Sequence, residues 1–170
     1  TMIKNLFPKI ADDPSTYYIR MTRKEAYKIY EDDSDFEIGK AAQLMDGKDI
    51  TIIASGLTVA ESLMAGRKLA EEGISARVLD MFTIKPIDKE AILKAAEDTG
   101  AILTVENHNV HGGLGSAVAE VLCENRPTLM KRIGSQDEFG EVGPVSYLKE
   151  RFGFNADNIV KEAKELIARK

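Results

Sequence analysis

Between residues 49 and 170, short continuous apolar runs alternate with longer stretches whose apolar positions recur every three or four residues. Asp49-Ile-Thr-Ile-Ile-Ala-Ser55 is nearly continuous, the mark of a central strand covered on both faces. A helix follows, with Thr58 as its N-cap, Glu61 completing a capping box, and Gly73 as its stop. Ser75–Asp80 reads as a strand, and Asp88 caps a helix that ends near Gly100. Ala101–Glu106 is another buried strand, and Gly112-Gly-Leu-Gly115 opens a helix that runs to about Glu124. Thr128–Ile133 is the last strand. A Gly- and acid-rich loop, Gly134–Gly143, leads to a short helix near Tyr147 and an amphipathic helix over Ala156–Ala168. Strands alternating with helices of these lengths need βαβ crossovers, hence a mostly parallel sheet.

Upstream the pattern changes. Ile3, Leu6, Phe7 and Ile10 share one helical face, with Pro8 acceptable only near the first turn. Asp12-Asp13-Pro14-Ser15 is a turn, and Thr16–Met21, aromatic and β-branched, predicts a strand. One helix and one strand cannot enclose a core, so residues 1–22 read as the tail of a preceding unit. Residues 23–36, with the acidic run Glu31–Asp35, form a solvated linker. Glu37–Leu44 alternates weakly and Asp46-Gly47 is a hairpin signal, so the second unit, residues 37–170, is expected to open with a strand antiparallel to the one at 49–55. The expected fold is a three-layer α/β/α domain on a mixed, mostly parallel five-stranded sheet with one antiparallel edge.

Composition removes several function classes. The chain has 170 residues, 44% hydrophobic and 30% charged, as in a folded domain. Its 23 basic against 28 acidic residues give a net charge of −5, which disfavours a nucleic-acid or anionic-membrane surface. A single cysteine, Cys123, excludes an internal disulfide framework or a cysteine zinc cluster; its helix is expected to bury it as an inert core thiol. With no signal peptide and no apolar run long enough to span a bilayer, a cytoplasmic location is expected.

Candidate chemistry concentrates in His108-Asn-Val-His111-Gly-Gly-Leu-Gly115, between a strand and a helix. A glycine-rich strand-to-helix turn can cradle phosphate. Counted from Gly113, however, the third glycine of a dinucleotide fingerprint is Val118, and the next strand lacks the acid that would meet a ribose. Close packing is the better reading of these glycines. His108, His111 and Glu106 make a poor metal template without a third ligand nearby, and support of a crevice or interface suits the histidines better. Asp137–Glu141 reads as a solvated or interface loop, and Ser55-Gly56 lacks the surroundings of a nucleophile elbow. Arg20 and Arg23 stand at the end of the predicted first strand, where a guanidinium can grip a phosphate or simply face solvent. No complete catalytic constellation emerges from the residues.

Four segments taken in order, Pro14–Arg23, Asp49–Gly56, Asp80–Asp88 and Val105–Glu120, resemble the carboxy-terminal part of transketolase, over about residues 1–169. The likeness is to the short, split form, in which two polypeptides share one enzyme. It implies that residues 1–22 are a remnant of the pyrimidine-binding domain, 23–36 a linker and 37–170 the third domain. It further implies two-carbon ketol transfer between ketose and aldose phosphates, with thiamine diphosphate and magnesium held by the domains outside this chain. The chain would be inactive alone, would contribute contacts to a homodimer interface, and would need the amino-terminal section as partner. Arg23 matches the family arginine that grips the sugar phosphate. Arg20 has no such match, and Lys24 departs from many relatives. His108, Gly112, Gly113 and Gly115 match positions that look structural or interfacial, so no catalytic residue is carried over. The competing reading is the docking domain of a related thiamine enzyme, a 2-oxoacid dehydrogenase beta subunit or deoxyxylulose phosphate synthase.

Overall fold

A computed structural model describes residues 1–22 and 27–170. Helix α1 (Met2–Ala11) precedes strand β1 (Ala42–Met45). β2 (Ile50–Ala54), α2 (Thr58–Glu71), β3 (Ala76–Asp80), α3 (Lys89–Thr99), β4 (Ala101–Asn109), α4 (Leu114–Asn125) and β5 (Leu129–Ser135) then alternate, and α5 (Val145–Arg151) and α6 (Ala156–Ile167) close the chain. The strands form one sheet in the order β1-β3-β2-β4-β5, parallel throughout except at the β1 edge. This is the expected mixed five-stranded sheet.

Every residue of β2 and β3 is buried, because helices cover both faces. Ile52, Val78, Leu103 and Val105 point to the side of Val59, Leu69, Ile159 and Leu166, from α2 and α6. Their strand neighbours Ile53, Leu79 and Ile102 point to Ile92, Leu114 and Val118, from α3 and α4. The period-two alternation of β-strands produces these two cores from one sheet.

Four expectations need correction. Ala42 faces Asp80, so β1 pairs antiparallel with β3 and not with β2. Asp46-Gly47 is therefore no hairpin turn. It is the crossing under the start of β3, where a Cβ on Gly47 would collide with the Ala76–Arg77 backbone. The capping box of α2 does not form. Thr58 Oγ1 instead donates to the carbonyls of Ser55 (2.9 Å) and Val105 (2.7 Å), while Glu61 accepts from Lys149 Nζ at 2.5 Å and the Ala156 N–H at 2.9 Å. Residues 16–21 form no strand: they are exposed along the surface and join no edge of the sheet. Cys123 is exposed, because α4 turns Leu114, Val118, Val121 and Leu122 inward and the next residue falls outside.

Three of the predicted helix ends do form. Just past α2, Gly73 takes φ 80° and the Ile74 N–H reaches the Leu69 carbonyl. Asp88 accepts from the Ala91 N–H at 3.0 Å, and Gly100 ends α3 with φ 64°, the left-handed region where a side chain is strained. Helix α1 runs past Pro8, beyond the first turn. Lys4 and Pro8 are both exposed, so the carbonyl that Pro8 cannot serve lies within reach of water.

Helix α1 buries no residue and rests along residues 32–36. Asn5 Nδ2 donates to the carbonyls of Asp32 and Ser34, and Lys9 Nζ to Asp35 Oδ1 and the Phe36 carbonyl. Phe36 itself is buried, with its ring edge-to-face against Tyr30 and Phe82. The acidic side chains of residues 31–35 thus face outward while two aromatics seat the segment on the domain.

Candidate functional site

The chain leaves β2 towards β3 on one side and β4 lies on the other, so the topological switch falls between β2 and β4, the position where open sheets of this kind take up ligands. Ser55-Gly56 closes β2, and Gly56 (φ 62°) brings the backbone near the Asn107 side chain. The bonds of Thr58 to both strand ends stitch this corner together.

Beside it, Glu106 organises the turn into α4. Its carboxylate is almost fully buried and accepts from the Leu114 and Gly115 N–H groups, each at 2.7 Å. Helix α4 carries no side-chain cap of its own, since Gly113 stands at its N-cap, and the carboxylate supplies the acceptors and the negative charge that this helix end attracts. Burial raises the Glu106 pKa, against the lowering effect of those two N–H groups, His108 and Arg132. Gly113 leaves the space that Glu106 fills, a Cβ on Gly134 would stand 2.7 Å from the His108 carbonyl, and one on Gly115 would stand 2.8 Å from Thr104 Oγ1. Close packing is thus the physical role of these glycines. The helix end that might have cradled a diphosphate is already occupied by a carboxylate.

The remaining candidates spread around this corner. Arg20 Nη2 donates to the Asn107 carbonyl at 3.1 Å, which carries the amino-terminal arm to the carboxyl end of β4. His108 is exposed, with Nδ1 2.8 Å from the Asn109 carbonyl, and His111 is exposed with its backbone N–H on Asn109 Oδ1. Among the described residues, no group of three or more His, Cys, Asp or Glu could hold a metal ion. Asp137 accepts from Asn109, while Glu138 and Glu141 both bind Arg151, so the acidic loop is tied to a cation of the protein itself. Arg23, the predicted phosphate-gripping residue, and Lys24 lie outside the described residues.

Two features escaped the sequence reading. Arg132 Nη1 donates to the Val110 carbonyl at 2.7 Å and braces the loop after β4 from the β5 side. Asp80, at the carboxyl end of β3, is buried and accepts from the Tyr30 hydroxyl at 2.6 Å. Glu106 did carry a signal: an acid at a strand's end shortly before a helix that lacks any Ser, Thr, Asp or Asn cap.

Comparison with known proteins places these features in context. Residues 39–159 match the family "Transketolase, C-terminal domain". The chain is 48% identical over 99% of its length to the 6-deoxy-6-sulfo-D-fructose transketolase subunit of Clostridium sp. (strain MSTE9), covering 52% of that protein. It is 46% identical over 96% of its length to an apulose-4-phosphate transketolase subunit of Phocaeicola vulgatus, covering 53% of it. The chain thus spans about half the length of these relatives. A solved structure described as a split gene transketolase, inactive beta4 tetramer, superposes with a TM-score of 0.93 at 41% identity, over 97% of this chain and 54% of that one. Among the described residues, no helix is long and apolar enough to cross a membrane.

Proposed function

Because this chain belongs to the transketolase family through its C-terminal domain, we propose that it is the carboxy-terminal part of an enzyme that moves a two-carbon ketol unit from a ketose phosphate to an aldose phosphate. Its place in that enzyme is assembly and the gripping of the substrate's terminal anion, with homo-oligomeric contacts. Thiamine diphosphate and magnesium, which supply the carbon–carbon chemistry, belong to a partner polypeptide carrying the diphosphate- and pyrimidine-binding domains.

The observation that carries this division of labour is Glu106. A diphosphate at the α4 N-terminus would need the Leu114 and Gly115 N–H groups, both already bound to the carboxylate, and would meet its negative charge. The α4 N-terminus therefore does not fit the cofactor's diphosphate. Inactivity of the isolated chain agrees with the solved relative described as an inactive tetramer.

The anion grip falls to Arg23. Its guanidinium would form paired, charge-assisted bonds to the terminal group of the sugar. Two observations support the assignment. The bond from Arg20 to the Asn107 carbonyl leads the arm, three residues before Arg23, to the carboxyl ends of the strands. The relatives are named for a sulfo-sugar and a sugar phosphate, both of which carry a terminal anion.

The test is ketol transfer from xylulose 5-phosphate to ribose 5-phosphate, with thiamine diphosphate and magnesium. It is run on this chain alone and with the partner polypeptide added. Activity only in the mixture is expected. Silence in both, with the partner folded and cofactor-loaded, favours a docking domain of another thiamine enzyme, and activity from this chain alone refutes the proposal. In the active mixture, Arg23→Ala should weaken phosphorylated substrates by roughly 1.5–3 kcal/mol, the range of charged hydrogen bonds, and spare unphosphorylated ones. Equal losses on both would remove Arg23 from the site.

A further inference from the structure

Asp80 stands out among the groups that the proposed function does not use. It is 3% exposed, one oxygen accepts from the Tyr30 hydroxyl, and the other, Oδ1, is buried without a hydrogen-bond partner. Such a carboxylate has lost most of its hydration and recovered one hydrogen bond. Tyr30 belongs to the segment joining the amino-terminal arm to the domain, and its ring packs edge-to-face on Phe36, which packs in turn on Phe82. Among the described residues no cation is paired with Asp80. The strand neighbours facing it are Ala42 on β1 and Ala54 on β2. On α2, Glu61 is committed to Lys149 and Ala156.

We infer that Asp80 and Tyr30 form a proton-sensitive clasp, which holds residues 27–36 on the carboxyl end of β3 while Asp80 is protonated and loosens once it ionises in its buried place. Burial raises the Asp80 carboxyl to about 6, against the lowering effect of the Tyr30 hydroxyl. An opened segment returns Asp80 to water and to its ordinary pKa, so between the two values the closed form holds a proton that the open form lacks. Opening therefore increases as pH rises and levels off above about 6. The clasp requires only this chain and is independent of the substrate or partner assigned above.

The experiment is NMR on the full chain, combining a 13C titration of the Asp80 carboxyl with protection factors for the amides of residues 28–36, corrected for intrinsic exchange. The Asp80 midpoint is expected near 6. Opening of the segment should rise about tenfold from pH 5 to pH 7, as linkage between the two pKa values requires, while core amides of β2 and β4 stay unchanged. Asp80→Asn should remove the pH dependence, and Tyr30→Phe should raise opening at every pH. A midpoint near 4 in the wild type would overturn the clasp without any variant having to fold. So would pH-independent opening in the wild type, or a pH dependence that survives in Asp80→Asn.

Discussion

At the scale of single residues, the best-defined feature is a buried acid that performs the work of a helix cap. Glu106 satisfies two backbone donors of α4. Burial raises its carboxyl pKa, against the lowering effect of the same two N–H groups. In Glu106→Gln an amide NH2 must face one of the two N–H groups and leave it unpaired. A loss of about 1–3 kcal/mol is expected from that buried donor. Urea unfolding of the two proteins at neutral pH measures it, and an unchanged midpoint would show that the α4 N-terminus finds other acceptors.

At the scale of elements, α2 separates a local account from a tertiary one. If Thr58 and Glu61 formed a capping box, replacing Glu61 would remove one cap and cost on the order of 1 kcal/mol. In the structure Glu61 ties α2 to α5 and α6 through Lys149 and the Ala156 N–H, with both charged side chains largely buried. Glu61→Ala leaves the Lys149 ammonium without its partner, and a loss of about 3 kcal/mol or more is expected from breaking a buried pair. The added replacement Lys149→Met should recover part of that loss. A double-mutant cycle by thermal unfolding reads the coupling, and additive effects would return Glu61 to a local role. A related lesson comes from Cys123, where a helix's inward face had to be chosen between adjacent residues and packing selected Leu122.

At the scale of the whole molecule, stability resides in the sheet and the four helices that cover it, not in the amino-terminal arm. Helix α1 has no buried residue, and its polar ties to residues 32–36 are exposed or only partly buried. Removing residues 1–12 should lower unfolding stability by less than about 1 kcal/mol, the scale of exposed ion pairs and hydrogen bonds. Circular dichroism of the melt would detect a larger drop, which would mean that the arm shields core surface. Under the proposed function the same deletion should weaken assembly with the cofactor-bearing polypeptide, because the exposed Phe7 is lost and the exposed Tyr18 and Met21 beyond it lose the helix that precedes them.

Much of this architecture was legible along the chain because its signals are local. Continuous apolar runs mark β2, β3 and β4, and the Asp88 cap and the Gly100 stop bound α3 through contacts within a few residues. Which strand lies beside which was not legible. Asp46-Gly47 has the chemistry of a hairpin, but an edge position beside β3 was open to β1, and Gly47 lets the chain pass close beneath Ala76 to reach it. The acids at 61, 80 and 106 are alike in sequence, each a carboxylate in or beside an apolar stretch. Only folding assigns Glu61 to a lysine and Asp80 to a tyrosine hydroxyl, because those partners come from segments that chain packing alone brings within hydrogen-bond distance, whereas the helix end that Glu106 caps lies a few residues on. The sequence by itself determined the order of elements from β1 onward and the two-sided core, which follow from side-chain periodicity. The tertiary structure alone decided strand neighbours and the environment of each buried charge, which depend on contacts between distant residues.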